Sequence, residues 1–217
     1  MAKKILILSE PFAPPSFLPR ITNLCKNLDR NKWTPEIFTE KIKDVNYSTD
    51  LCPVFQMPYY NSNNKIYWAI KWVLHFLFQY KDFKLQKFIE NTTNVNDYDL
   101  IFCSISNLFP ITTAARLSKK YNKPLIIDLR DIDEQWGKHK YLTHSISKSS
   151  TINNFIYKQI ERLNIKRRNK ALLQANSVTT ISPWHRDFIK NINNNTHLIY
   201  NGYNADIFYH QKIVSDT

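Results

Sequence analysis

Three short apolar runs, at 3–9 (KKILILS), 98–104 (YDLIFCS) and 124–129 (PLIIDL), alternate along the chain with stretches whose apolar residues recur at helical spacing. A strand that is apolar at nearly every position, not at every second one, is buried on both faces, and helices must supply the cover. The pattern predicts an α/β fold: a Rossmann-like, doubly wound, mostly parallel sheet with helices on both faces. The first helix is set by Ile21, Leu24, Cys25 and Leu28, and further helices are expected over 108–121, 152–175 and 183–192. Strands are expected at 177–182 and 197–200, and Ser182 followed by Pro183 makes an N-cap and first-turn pair between them. Weaker strand signals lie at 33–39 and 51–57, the first expected at a sheet edge because Pro35 has no N–H for a ladder.

Sheets of this kind bind ligands in the crevice at the carboxyl ends of their strands, which directs attention to the loops 9–20, 104–110, 128–150 and 182–186. With two glycines in the chain, Gly137 and Gly202, neither GxGxxG nor the Walker A loop is present, so two large nucleotide-binding classes lose their fingerprint. Thirty Lys and Arg against 18 Asp and Glu leave a formal charge of +12, which calls for an anionic partner: nucleotide phosphate, nucleic acid or lipid headgroup. Cys25, Cys52 and Cys103 stand far apart with no CxxC, against a disulfide framework or structural zinc site and in keeping with a reducing compartment. The apolar run 5–8 is too short for a signal peptide, so a cytoplasmic chain is expected.

The first of these loops, Ser9 to Arg20, runs straight into a helix whose opening N–H groups attract phosphate or carboxylate. Arg20 adds a fork of donors suited to the same ligands; the plain alternative is a rigid surface loop with a solvated arginine. The stretch Asp128-Leu129-Arg130-Asp131-Ile132-Asp133-Glu134-Gln135-Trp136 sets four carboxylates and an arginine just past a buried strand. Carboxylates accept hydrogen bonds from sugar hydroxyls and Trp136 offers a face for a sugar ring, whereas the alternative pairs Arg130 locally with Asp128 or Asp131. Asp131 and Asp133 also match the short DxD pattern of metal-dependent glycosyltransferases, in which carboxylates hold Mg²⁺ or Mn²⁺ on a nucleotide diphosphate.

Residues 65–89 are dense in aromatic and aliphatic side chains, with lysines between them, and their longest uncharged run cannot span a bilayer. Either this is a core helix packed on the sheet, the reading the pattern favours, or it lies on a membrane surface through Trp68, Lys71, Trp72 and Phe76. The expected helix 152–175 carries Lys158, Arg162, Lys166, Arg167, Arg168 and Lys170 against Glu161, usually the mark of a solvated face. No DNA-reading motif accompanies it, so nucleic acid is not an expected partner, although a basic nucleic-acid or membrane-surface module stands as the non-enzyme alternative.

Four landmarks in order resemble the amino-terminal half of a retaining glycosyltransferase of the GT-B fold, in the family-four group. Pro14-Pro15-Ser16-Phe17-Leu18-Pro19-Arg20 is similar to that family's first loop, and Asp128-Leu129-Arg130-Asp131 to its strand end. Glu161-Arg162 through Ala175-Asn176-Ser177-Val178-Thr179-Thr180-Ile181-Ser182 resembles the family's basic helix and following strand. Ile199-Tyr200-Asn201-Gly202-Tyr203-Asn204-Ala205-Asp206-Ile207-Phe208 resembles the hinge between its two halves. The resemblance implies an acceptor-binding domain over 1–202 and the start of an interdomain linker at 203–217, with the donor-binding domain absent and the fragment inactive by itself. It implies transfer of a sugar, of the hexosyltransferase type, from a nucleotide-sugar cosubstrate to a saccharide or lipid-linked acceptor in bacterial polysaccharide or glycoconjugate synthesis, without metal or bound cofactor. Asp128 and Asp131 would contact the acceptor or the transferred sugar, oriented by Arg130. Ser16, Arg20, Glu134, Trp136 and Ser182 would bind substrate, and the protein would work at the inner face of the membrane.

Overall fold

In the computed structural model, residues 2–10, 19–41, 50–58, 65–106, 108–132, 134 and 150–202 are described. The first apolar run forms β1 (Lys3–Ser9), followed by α1 (Pro19–Asn27), β2 (Trp33–Glu40) and β3 (Val54–Met57). Then come α2 (Lys65–Phe78), α3 (Tyr80–Thr92), β4 (Leu100–Ile105), α4 (Ile111–Tyr121) and β5 (Leu125–Leu129). The long basic segment is α5 (Ser150–Gln174), and β6 (Ser177–Thr180), α6 (Pro183–Lys190) and β7 (Thr196–Leu198) complete the order. The seven strands form one sheet in the order β3-β2-β1-β4-β5-β6-β7, and every neighbouring pair is parallel.

Alternation along each strand divides the core into two layers. Ile5, Ile7 and Ile37 pack with Ile21 and Cys25 of α1 on one face. Leu6, Leu8, Ile101, Cys103, Leu125, Ile127 and Val178 pack on the other face with residues of α3, α4, α5 and α6. Both faces are thus covered, as continuous apolar strands require. The chain order reverses direction between β1 and β4, and this is the switch point at which a crevice opens.

Pro35 is not on an edge strand, contrary to the expectation, because β2 lies between β1 and β3. In a parallel ladder alternate residues point their N–H to opposite sides, and the Ile37 N–H reaches Pro53 O toward β3 at 2.9 Å. The Pro35 nitrogen faces that same side two residues earlier, before β3 begins at the Ile37–Val54 pair. The missing N–H therefore costs no ladder bond.

Segment 65–89 is two helices, broken at Gln79, whose φ of 54° is left-handed. α3 sinks Asp82, Leu85 and Ile89 into the core. None of the described side chains of α2 is fully buried, and Tyr67, Ile70, Val73, Leu77 and Phe78 are exposed. The favoured core-helix reading thus holds for α3, while the described side chains of α2 include no fully buried one. Asp82 fastens α3 to the first turn of α4, accepting from the Thr113 N–H and hydroxyl, both at 3.1 Å. Burial pushes its carboxyl up to about 6, against the lowering effect of the Thr113 bonds.

Candidate functional site

The polar ends of four apolar strands meet at the switch point. Ser104 of β4, Asp128 of β5 and Thr179 of β6 are direct partners in the strand register, so their side chains stand in a row on the face that carries α1. Asp128 is 1% exposed and accepts from the Ser104 hydroxyl at 2.9 Å and the Thr179 hydroxyl at 2.6 Å. Arg20, in the first turn of α1, closes on it with two parallel bonds, Nε to Oδ2 and Nη2 to Oδ1, both at 2.9 Å. Such a forked pair joins charge to geometry and fixes the guanidinium plane.

The remaining Arg20 donors turn to the segment after β7: Nη2 reaches Ile199 O at 3.2 Å, and Nη1 reaches Tyr200 O at 3.3 Å and Asn201 Oδ1 at 3.1 Å. One side chain thereby ties the start of α1, the end of β5 and residues 199–201 together. A second ion pair lies beside it. Glu10, just past β1, accepts from the Ser106 N–H at 2.9 Å and hydroxyl at 2.6 Å, and from Arg130 Nη2 at 3.2 Å. The Arg130 Nε is buried and has no hydrogen-bond partner among the described residues.

Between these groups is a cavity of about 430 Å³ lined by Arg20, Asn23, Asp128, Arg130, Asn201 and Gly202 at its polar end. Ile21, Leu24, Phe102 and Ile199 supply its apolar wall. That volume is in the range of small-molecule sites, and the mixture of apolar wall and a few convergent polar groups suits a ligand with both a ring face and charged or hydroxyl groups.

The structure brings Arg20, Asp128 and Arg130 together but pairs them differently from the sequence reading. Arg130 does not orient Asp128 or pair with Asp131; it reaches Glu10, and Arg20 is the partner of Asp128. Every accepting position of Asp128 toward the interior is in use, so it anchors Arg20 within the site. Asp131 is half-buried, and its charge partly offsets the burial that depresses the His185 imidazole. Glu134 is held away from the cavity by Arg168 of α5, with bonds of 2.6 and 2.7 Å. Burial would raise the Glu134 carboxyl, but the Arg168 bonds outweigh it and hold it below the ordinary value. Ser182 is the N-cap of α6, accepting from the His185 N–H at 3.2 Å. Ser16, Asp133 and Trp136 lie outside the described residues.

Glu10, Ser104, Ser106, Thr179 and Asn201 were not singled out from sequence. Four of them obey one legible signal: an apolar strand of a parallel sheet that ends in a polar residue points that residue at the crevice. Asn201 carries no such mark, because only the return of the chain past β7 brings it to Arg20. Among the described residues no group of three or more His, Cys, Asp or Glu side chains is arranged to hold a metal ion, and no helix is long and apolar enough to cross a membrane.

No protein-family model matches the sequence, and no curated protein matches it. Solved structures do. The chain is similar to HepE of Anabaena in complex with UDP and glucose, with 16% identity and a TM-score of 0.51 over 94% of this chain and 46% of that one. It is similar to UGT71G1 of Medicago truncatula complexed with UDP-glucose, at 8% identity and a TM-score of 0.54 over 91% and 51%. UGT2 of Phytolacca americana, complexed with UDP-2-fluoro-glucose and pterostilbene, gives 8% identity and a TM-score of 0.51 over 92% and 54%. The chain spans about half the length of each of these proteins. Its seven-stranded parallel sheet with helices on both faces is the Rossmann-like half of the GT-B glycosyltransferase fold.

Proposed function

We propose that this chain is the acceptor-binding half of a glycosyltransferase that moves a sugar from a nucleotide-sugar donor to a saccharide or lipid-linked acceptor. The observation that carries the reading is the 430 Å³ cavity at the strand ends, where two arginines and an apolar wall meet residues 199–202 in a fold shared with proteins solved with UDP and UDP-glucose. The acceptor ring lies on the apolar wall formed by Ile21, Leu24 and Phe102. Its hydroxyl oxygen bonds to the anomeric carbon of the donor as the bond from that carbon to the diphosphate oxygen breaks, and the hydroxyl proton goes to the departing nucleoside diphosphate. Arg130, with one N–H of its fork uncommitted, stabilises the charge that builds on the diphosphate. Asp128 does not itself touch the sugar; it holds Arg20 in the plane that closes the cavity. A retaining outcome, family-four membership, polysaccharide or glycoconjugate synthesis and a place at the inner face of the membrane belong to this same proposal.

Titration of the isotope-labelled chain with saccharide acceptors, followed by amide chemical shifts, tests the assignment. Shifts should concentrate at residues 20–24, 102, 128–130 and 199–202, with sugar nucleotides alone binding weakly. Tight, stoichiometric binding of a sugar nucleotide to this chain, or saccharide-induced shifts confined to other faces, would sink it.

A further inference from the structure

A second cavity lies away from the strand ends. It is a groove of about 570 Å³ between α4 and α5, closed at one end by Gln79 between α2 and α3. Arg116, Lys119 and Lys120 of α4 face Arg167 and Lys170 of α5 across it, and among the described residues no carboxylate lines it. Two acids are near. Glu90 is committed to Lys120 at 2.9 Å, and Asp82 is wholly buried beneath, bound to Thr113. Burial, together with the like charge of Arg116, holds the Arg167 guanidinium below its ordinary value. Five cations gathered in one groove against two engaged acids repel one another, and an arriving anion relieves that repulsion.

Exposed apolar side chains adjoin the groove at the end of α2. Arg167 donates to the carbonyls of Phe76 and Leu77, the latter at 2.8 Å, which pins the end of α2 against α5. Beside this contact Leu77 is 55% and Phe78 68% exposed, and Leu173, next to the groove residue Gln174, is 67% exposed. Tyr67, Ile70 and Val73 continue the exposed stripe up α2 at helical spacing. A cationic trough bordered by bare apolar side chains matches one surface in charge and polarity: a bilayer whose anionic phosphates meet the trough while the apolar fringe enters the boundary between headgroups and acyl chains.

We propose that the α4–α5 groove is a headgroup site through which the protein docks on an anionic membrane, with Leu77, Phe78 and Leu173 as the inserted fringe. Of the four residues read from sequence, Lys71 lies over the Tyr67 ring at 4.5 Å, Phe76 is half-buried, and the side chains of Trp68 and Trp72 lie outside the described residues; the charge of the groove comes from α4 and α5, far along the chain. A membrane location is part of the proposed function, on which this inference rests, but the groove is separate from the strand-end cavity, so vesicle binding and saccharide binding fail separately.

The test is co-sedimentation of the whole chain with vesicles. The chain should pellet with phosphatidylcholine–phosphatidylglycerol vesicles, release as salt rises, and stay in solution with phosphatidylcholine alone. Lys119 and Lys170 are exposed, so the K119A/K170A double variant keeps the fold; since each basic residue near an anionic leaflet contributes roughly five-fold in partitioning, it should bind about 25-fold more weakly. L77S/F78S should weaken binding independently of salt. Glycerol phosphate in solution should compete only at high concentration, because a free phosphate lacks the apolar contact. Equal pelleting with both vesicle types, wild-type binding by K119A/K170A, or tighter binding to duplex DNA than to anionic vesicles would overturn the proposal.

Discussion

Replacing Arg20 by methionine removes the donor fork from a carboxylate that is 1% exposed, while keeping most of the side chain's packing. Breaking one half of a buried pair costs about 3–5 kcal/mol because the other charge is left without its partner. Asp128 retains the hydroxyl donors of Ser104 and Thr179, which argues for the lower end, about 3 kcal/mol. Asp128→Asn leaves a fork with no charge to bind and an amide N–H₂ set against two hydroxyls that are free to rotate, a loss of about 2 kcal/mol. In the double variant neither residue leaves the other stranded, so the cost should fall short of the sum by about 2 kcal/mol. Urea unfolding of the four proteins reads this directly as shifts in midpoint at constant slope. Additivity within about 0.5 kcal/mol would mean that the two side chains do not act on one another, and the forked Arg20–Asp128 pair would be refuted.

Two further outcomes follow from other groups. The Asp82 carboxyl, raised to about 6 in the folded chain from 3.8, binds more protons folded than unfolded between those values, so stability falls as pH rises through that window. A shift of that size corresponds to about 3 kcal/mol; Asp82→Asn should therefore gain about that much relative to wild type between about pH 3.5 and about pH 7, and parallel pH profiles in thermal unfolding would refute it. Arg130→Met should lower the affinity for pyrophosphate about ten-fold in an NMR titration, the loss of one charge-assisted hydrogen bond, and an unchanged titration would remove Arg130 from the anion site.

The sheet was legible because burial on both faces leaves its imprint in every central strand: Leu6, Leu8, Ile101 and Ile127 fill one layer while Ile5 and Ile7 fill the other. The break at Gln79 was not, since glutamine carries no preference for a left-handed backbone and the aromatic run passes through it unaltered. Pro35 misled for a related reason: proline reports that a ladder bond is missing, and where β3 begins decides whether the strand is at an edge. At the site, the residue types were readable and the pairings were not. Arg130 has four acids within four positions in sequence, yet strand-end geometry gives it Glu10, 120 residues away, and gives Asp128 to Arg20, 108 residues away.

Those long-range pairings decide which cation is available to a ligand. Arg20 faces the cavity, but its charge is matched by Asp128 through two bonds of 2.9 Å, and its outer donors are spent on neutral carbonyls at 3.2 and 3.3 Å. A phosphate could displace those carbonyls only by also freeing residues 199–201, so ligand binding at Arg20 and the path of the chain beyond β7 are linked. Arg130 meets its carboxylate through a single bond of 3.2 Å, and that carboxylate is shared with two donors from Ser106. Its Nε is also buried without a partner among the described residues, so on the proposed reading Arg130 is the cation with donor capacity left for an anion. On the proposed reading the two arginines divide the work: the better-paired one holds the crevice in shape and couples it to the following segment, and the less-paired one supplies the charge.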